Sequence, residues 1–198
     1  MDTLKAHLKD SSKRGYVAGI KLVRGAYLYT EPERQSIIHA SKDATDNCYD
    51  TAVEYLLEGK EATGNADTKP WVAEVMLATH NSGSVDKAFA LFQEKRRELA
   101  WGDSPKMGGK VQRIVFAQLM GMADEISMKL ARDIKQAEMP GGADLGLGVY
   151  KYTVWGSFQD CLLYMLRRAE ENQDAVARSR VTALAMLKEI GSRLLFWR

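Results

Sequence analysis

Cysteine is scarce in this chain of 198 residues: Cys48 and Cys161 are the only two, far apart and with no CxxC spacing. A disulfide scaffold and a cysteine zinc site are both disfavoured, and a reducing compartment fits. Long hydrophobic runs are missing as well, and no stretch reaches the ~20 apolar residues that span a bilayer. One-sided charge is absent: Lys plus Arg number 28 and Asp plus Glu 26, a net charge of +2. That balance argues against nucleic-acid binding through bulk charge. The opening segment, Met1 to Gly15, has neither the apolar core of a signal peptide nor the acid-free, Arg-rich pattern of a transit peptide. No GxGxxG follows a strand, and there is no Walker A loop and no GxSxG elbow. No second histidine or carboxylate lies at metal-ligand spacing from His80, and the carboxylates form no acid/base pair.

What is present is the composition of a folded globular chain, 45% hydrophobic and 27% charged, which excludes disorder along its whole length. At roughly 100–200 residues per domain, it is one domain or two small ones. Four short β-rich runs stand out: Tyr16–Val23, Val72–Thr79, Val111–Leu119 and Gly148–Trp155. Between them the apolar period is helical. Leu4 and Leu8 mark the end of an amphipathic helix that stops at Gly15, and Pro32–Ala40 forms a short helix. Asp43–Leu57 repeats apolar residues at Ala44, Cys48, Ala52, Tyr55 and Leu56. Ser84–Leu99 has Ser84 as its N-cap, with Val85, Ala88, Phe89 and Phe92 on one face. Ala123–Lys135 places Ile126, Leu130 and Ile134 four apart, and Ser157–Glu171 carries Phe158, Cys161, Leu162, Met165 and Leu166. A last helix runs from about Asp174 to Phe196, and residues 58–70 and 138–146 read as loops. Strands alternating with helices imply an α/β fold with a parallel sheet and right-handed crossovers.

In such folds the C-terminal ends of the strands carry the chemistry, and the unusual residues collect there. Gly25, after the first strand, permits either a positive φ at a plain turn or the close approach of a ligand. His80, after the second, is either a structural hydrogen-bonder or a group that binds ligand or moves a proton. Arg167 and Arg168 follow the apolar run Leu162–Leu166, and adjacent helical residues point about 100° apart. The pair therefore serves either as surface ion-pair partners of Glu170 or Glu171, or as a bidentate clamp for a carboxylate or phosphate.

Four separated segments together resemble the proline dehydrogenase family, the flavin-dependent first enzymes of proline breakdown. They are Lys21-Leu22-Val23-Arg24-Gly25-Ala26-Tyr27, Ala78-Thr79-His80-Asn81, Phe116-Ala117-Gln118-Leu119-Met120-Gly121-Met122, and Tyr152 through Gly156 to Tyr164-Met165-Leu166-Arg167-Arg168-Ala169-Glu170-Glu171-Asn172. Their order and spacing match, and the last is the most specific; Leu28-Tyr29 after the first has a eukaryotic, fungal-like wording. The resemblance implies a (βα)8 TIM-type barrel with FAD as cofactor and the final helix over the barrel mouth. It assigns Arg167 and Arg168 to the substrate carboxylate. Tyr27, Leu119, Tyr152 and Tyr164 become walls for the proline ring. Arg24, Gly25, Ala26, Thr79 and His80 become flavin contacts, Glu171 a residue near the flavin, and Lys21 a catalytic residue at a positively charged position beside the reactive flavin nitrogen. The implied reaction is hydride transfer from the carbon next to nitrogen of L-proline to the flavin, giving Δ1-pyrroline-5-carboxylate. The implied setting is mitochondrial, with a membrane quinone as electron acceptor.

The resemblance covers the second half of that family's catalytic domain, so residues 1–198 read as one partial domain of about four βα units. A full barrel takes about 250 residues and eight strands, and the chain begins at the helix before the fifth. A half-barrel leaves two sheet edges unpaired, which predicts weak flavin binding by this chain alone and self-association through those edges. The alternative to a working dehydrogenase is an inactive half-barrel that acts as an interaction or assembly partner.

Overall fold

The computed structural model describes residues 1–25, 31–58, 72–100, 111–137, 146–171 and 190. Helix α1 (Asp2–Arg14) leads into strand β1 (Ala18–Val23). The short α2 (Arg34–Ile37) and the long α3 (Lys42–Glu58) follow. Then come β2 (Val72–Ala78), α4 (Ser82–Ala100), β3 (Val111–Leu119), α5 (Asp124–Ala137), β4 (Leu147–Tyr152) and α6 (Phe158–Glu171). The strands are all parallel and lie in the order β1-β2-β3-β4. A doubly wound sheet reverses its strand order at a switch point. Here the order never reverses, so right-handed crossovers of one sense put every intervening helix on the same face. This is the arrangement of part of a TIM-like barrel.

Alternation along the strands sorts the side chains between two faces. Ile20 and Leu22 of β1, Val75 and Leu77 of β2, and Ile114 and Phe116 of β3 point toward the helices. They meet Tyr49, Val53 and Leu56 of α3, Val85, Ala88 and Phe92 of α4, and Ile126, Leu130 and Ile134 of α5, while Leu8 of α1 closes one end. Burying an aliphatic or aromatic side chain of this size contributes about 1.5–3 kcal/mol, and this one layer of contacts holds the sheet to its helices. The opposite, concave face carries Lys21, Met76, Val115, Leu119, Tyr150 and Tyr152; Val115 is buried, and Lys21, Tyr150 and Tyr152 are exposed.

Several sequence expectations are corrected in detail. The fourth strand ends at Tyr152, not Trp155. Its last ladder bond runs from the Met120 N–H to the Tyr152 carbonyl at 2.9 Å. β3 then turns away at Gly121 (φ 74), so nothing remains for residues 153–155 to pair with. The first strand begins at Ala18, two residues later than expected. Ser84 is not the cap of α4. Asn81 takes that role, its Oδ1 accepting from the N–H groups of Gly83 (2.9 Å) and Ser84 (3.4 Å). Ser84 is buried inside the first turn and donates to Asp50 Oδ1 at 2.6 Å. The buried face of α3 is Tyr49, Ala52, Val53 and Leu56, one step round the helix from the stripe expected through Cys48 and Tyr55. In α6 the helix forms, but Phe158, Leu162, Met165 and Leu166 are exposed among the described residues. The stripe that turns inward is Cys161, Tyr164 and Arg168. The expected last helix, Asp174 to Phe196, lies outside the described residues apart from Ile190, which is helical and exposed, and residues 59–70 and 138–145 lie outside them entirely.

Candidate active site

Because the strands are parallel, their C-terminal ends form a single rim, and the quoted segments meet there. A Ser157–Asp160 capping box starts α6: the Ser157 Oγ donates to Asp160 Oδ2 (2.6 Å), and the Asp160 N–H donates back to the Ser157 Oγ (3.2 Å). From that fixed start the helix carries Tyr164 to β4. The rings of Tyr152 and Tyr164 are 6.1 Å apart between centroids and tilted by 42°, within the range of favourable aromatic pairs. Each ring also takes a cation. Lys21 Nζ lies 5.5 Å from the centroid of Tyr152, and the Arg168 guanidinium carbon lies 5.5 Å from that of Tyr164. Four residues from β1, β4 and α6 therefore form one continuous row, Lys21–Tyr152–Tyr164–Arg168, with a positive charge at each end. Arg168 is half-buried and Arg167, one step round the helix, is exposed. The side chains of Glu170 and Glu171 lie outside the described set, as do Ala26 and Tyr27.

The rest of the rim is held by polar bonds between strand ends. Leu119 donates its backbone N–H to His80 Nε2 at 3.1 Å. A ring nitrogen that accepts carries no proton, so the neutral imidazole has its proton on Nδ1. Thr79 is buried, and its Oγ1 accepts from the Asn81 N–H at 3.0 Å. Its carbonyl accepts from Gln118 Nε2 (3.4 Å), and Gln118 Oε1 accepts from the Ser127 hydroxyl (2.9 Å). Sequence reading missed Gln118 as an organiser, though a glutamine at an inward position of an apolar strand was the available signal. Gly25 adopts φ 70, and a β-carbon there would meet nothing within 4 Å. The left-handed backbone requires the glycine, and no described residue fills the space beside it.

Arg24 turns toward α3. Its Nε donates to Asp46 Oδ1 at 2.5 Å, while Asp46 Oδ2 accepts from Lys42 Nζ (2.6 Å) and from Asn81 Nδ2 (3.0 Å). The Lys42 bond and then the Arg24 bond hold the Asp46 carboxyl below the usual carboxylate range, against the opposing effect of desolvation. Asp46 gave no sequence signal beyond an ordinary i,i+4 pair with Lys42. Lower on the concave face, Arg113 Nη2 donates to the Tyr150 hydroxyl at 2.6 Å, and Arg113 Nε lies 3.9 Å from Glu74 Oε1.

The set suits a flat, electron-accepting ring on its concave side. Lys21 can offer a cation to an anionic ring edge and Tyr152 an aromatic surface, and at Gly25 no described residue crowds the end of β1. The side chains of Arg24 and Thr79 are engaged with Asp46 and Asn81 instead.

The family model for proline dehydrogenase matches residues 1–181. The chain belongs to the proline dehydrogenase family. It is similar to Proline dehydrogenase 2, mitochondrial, of Arabidopsis thaliana, 30% identical over 99% of this chain and 39% of the relative. It is also similar to the probable mitochondrial proline dehydrogenase of Schizosaccharomyces pombe, 32% identical over 88% of this chain and 34% of the relative. A third relative, Hydroxyproline dehydrogenase of Bos taurus, is 28% identical over 98% of this chain and 40% of its own length. The chain thus spans between a third and two fifths of these relatives. No solved structure matches it. Among the described residues, no helix is long and apolar enough to cross a membrane.

Proposed function

We propose that this chain forms the substrate-carboxylate and ring-binding side of an FAD-dependent L-proline dehydrogenase site, producing Δ1-pyrroline-5-carboxylate. The observation that carries the reading is the Lys21–Tyr152–Tyr164–Arg168 row. Arg168, with Arg167 beside it, binds the carboxylate; a guanidinium fork matches the two oxygens of that group. Tyr152 and Tyr164, with Leu119 and Tyr27, wall the apolar ring methylenes and exclude water from them. That fixes which carbon faces the cofactor and spends binding energy on orientation.

FAD, when bound, accepts the hydride from the carbon next to the proline nitrogen. Lys21 would place its positive charge beside the cofactor ring, and Gly25, Ala26 and Glu171 would contact the cofactor, while Arg24, Thr79 and His80, bonded to Asp46, Asn81 and Leu119, would frame the rim around it. The family match favours this oxidoreductase reading over that of an inactive assembly partner. The hydroxyproline dehydrogenase among the relatives makes hydroxyproline the substrate to compare with proline. The mitochondrial relatives support a mitochondrial setting, and the family resemblance implies a membrane quinone as electron acceptor. Self-association through the β1 and β4 edges supplies the remaining barrel wall where no other chain segment does.

The test is the visible spectrum of the purified chain with excess FAD, before and after anaerobic L-proline. Retained flavin that bleaches with proline supports the reading. Retained flavin that stays oxidised, or no retained flavin, shows that residues 1–198 do not by themselves make the site.

A further inference from the structure

Lys151 stands between Tyr150 and Tyr152 on β4, on the helix side of the sheet and outside the row described above. Its ammonium donates to the Met122 carbonyl at 2.7 Å and pairs with Asp124 Oδ1 at 2.6 Å. The side chain is only 22% exposed, so it is not a solvated surface charge. Its two partners flank Ala123, the sole non-glycine residue with positive φ (52°) among the described residues. Gly121, two residues earlier, is also left-handed at φ 74. A β-carbon disfavours that backbone, so the turn after β3 persists because its surroundings hold it. Lys151 grips it on both sides of the strained residue.

The same turn controls two pocket-wall residues. The Met122 N–H donates to the Leu119 carbonyl at 3.1 Å, and the Met120 N–H donates to the Tyr152 carbonyl at 2.9 Å. The bonds close a circuit. It runs from Lys151 to Met122, to Leu119 and Met120, across to Tyr152, and back one residue along β4. Leu119 and Tyr152 thereby hang from one braced turn.

We propose that Lys151 is a positioning residue that braces the β3–α5 turn and so sets the spacing of Leu119 and Tyr152 across the proline ring; its effect on substrate rests on the ring-wall reading of those two residues. Lysine suits the task because one ammonium carries three donors and serves a carbonyl and a carboxylate together. A methionine would fill the same space and donate nothing. The Lys129–Asp86 pair, also 2.6 Å, is the natural control: it joins α4 to α5 with both side chains 55% exposed and touches no residue of the site.

The test compares the wild-type 198-residue chain with Lys151→Met, Lys151→Arg and Lys129→Met. The first readout is amide hydrogen exchange without cofactor or substrate. In Lys151→Met the amides of Met120 and Met122 should exchange about tenfold faster, with β1 and β2 unchanged. Lys151→Arg should restore protection, and Lys129→Met should leave it intact. Unchanged protection at Met120 and Met122 would overturn the brace. An equal rise across the whole chain would also overturn it, because Lys151 would then merely stabilise the fold. The second readout is the anaerobic proline titration of the FAD-loaded chain. Lys151→Met should raise the half-bleaching proline concentration roughly tenfold while the FAD titration stays put. Equal shifts in both titrations, or none in the proline titration, would overturn the positioning role. A wild-type chain that never bleaches would show that residues 1–198 do not by themselves make the site, and the exchange result would then decide the brace alone.

Discussion

Gly148 lies under the ring of Tyr150. A β-carbon at position 148 would sit 2.7 Å from Tyr150 Cε2 and 3.3 Å from Val115 Cγ1. The missing side chain lets the Tyr150 ring lie down along β4, where its hydroxyl meets Arg113. Gly148→Ala should therefore cost about 0.5–1 kcal/mol, because the half-exposed ring must swing off Arg113 or the buried Val115 must give a few tenths of an ångström. Urea unfolding measures this. A change below about 0.5 kcal/mol would mean that the ring moves aside freely.

Asp46 makes acid sensitivity local. Its folded-state pKa lies below the unfolded value, held there first by Lys42 and then by Arg24. A depressed carboxylate contributes stability above its unfolded pKa of about 3.9, and that contribution is lost as pH falls through the lower folded value. Unfolding free energy should thus decline from about pH 5 downward in the wild type. Asp46→Asn should begin lower at neutral pH and decline less over the same window. Parallel curves for the two proteins would remove Asp46 from the acid transition.

Ala123 gives a prediction of opposite sign. Its φ of 52 penalises a β-carbon, so Ala123→Gly should raise stability by about 0.4–1 kcal/mol despite the looser unfolded chain. Its methyl packs at the margin of the core, which trims the gain. A thermal midpoint below the wild-type value would show that packing outweighs the backbone term.

Arg168 tests geometry against charge. Arg168→Lys keeps the charge but loses the planar fork. In the proline titration it should behave closer to Arg168→Ala than to wild type, with a loss of about tenfold or more in apparent proline affinity. A lysine variant that titrates as wild type would mean that Arg168 acts as a point charge, and not as a bidentate clamp.

Much of this was legible without coordinates. The strand-helix alternation, the inward stripes of α4 and α5, and the collection of unusual residues at strand ends all follow from period and placement. The Ser84 error shows the limit. The sequence offered Ser84 as the cap, but its hydroxyl goes to the Asp50 carboxylate of another helix, and Asn81 three residues earlier caps α4. Apolar periodicity in α6 predicted a buried stripe, yet the inward residues are Cys161, Tyr164 and Arg168. Period reports that a helix has an apolar side, and burial depends on what packs there.

Local chemistry along the chain settles the secondary structure, because hydrophobic spacing and turn residues act over a few positions. It also marks Arg167 and Arg168 as a candidate carboxylate clamp, while the ring-wall residues follow only from the family resemblance. Which of them meet is a matter of register and crossover hand. Lys21 and Arg168 lie 147 positions apart in the chain (168 less 21), and they join one row only because parallel strands bring their C-terminal ends to a common rim. The same holds for Arg24 on Asp46, His80 on Leu119 and Lys151 on Met122. Each pairs a side chain with a group on another element, so none can be read from its own neighbourhood in the sequence.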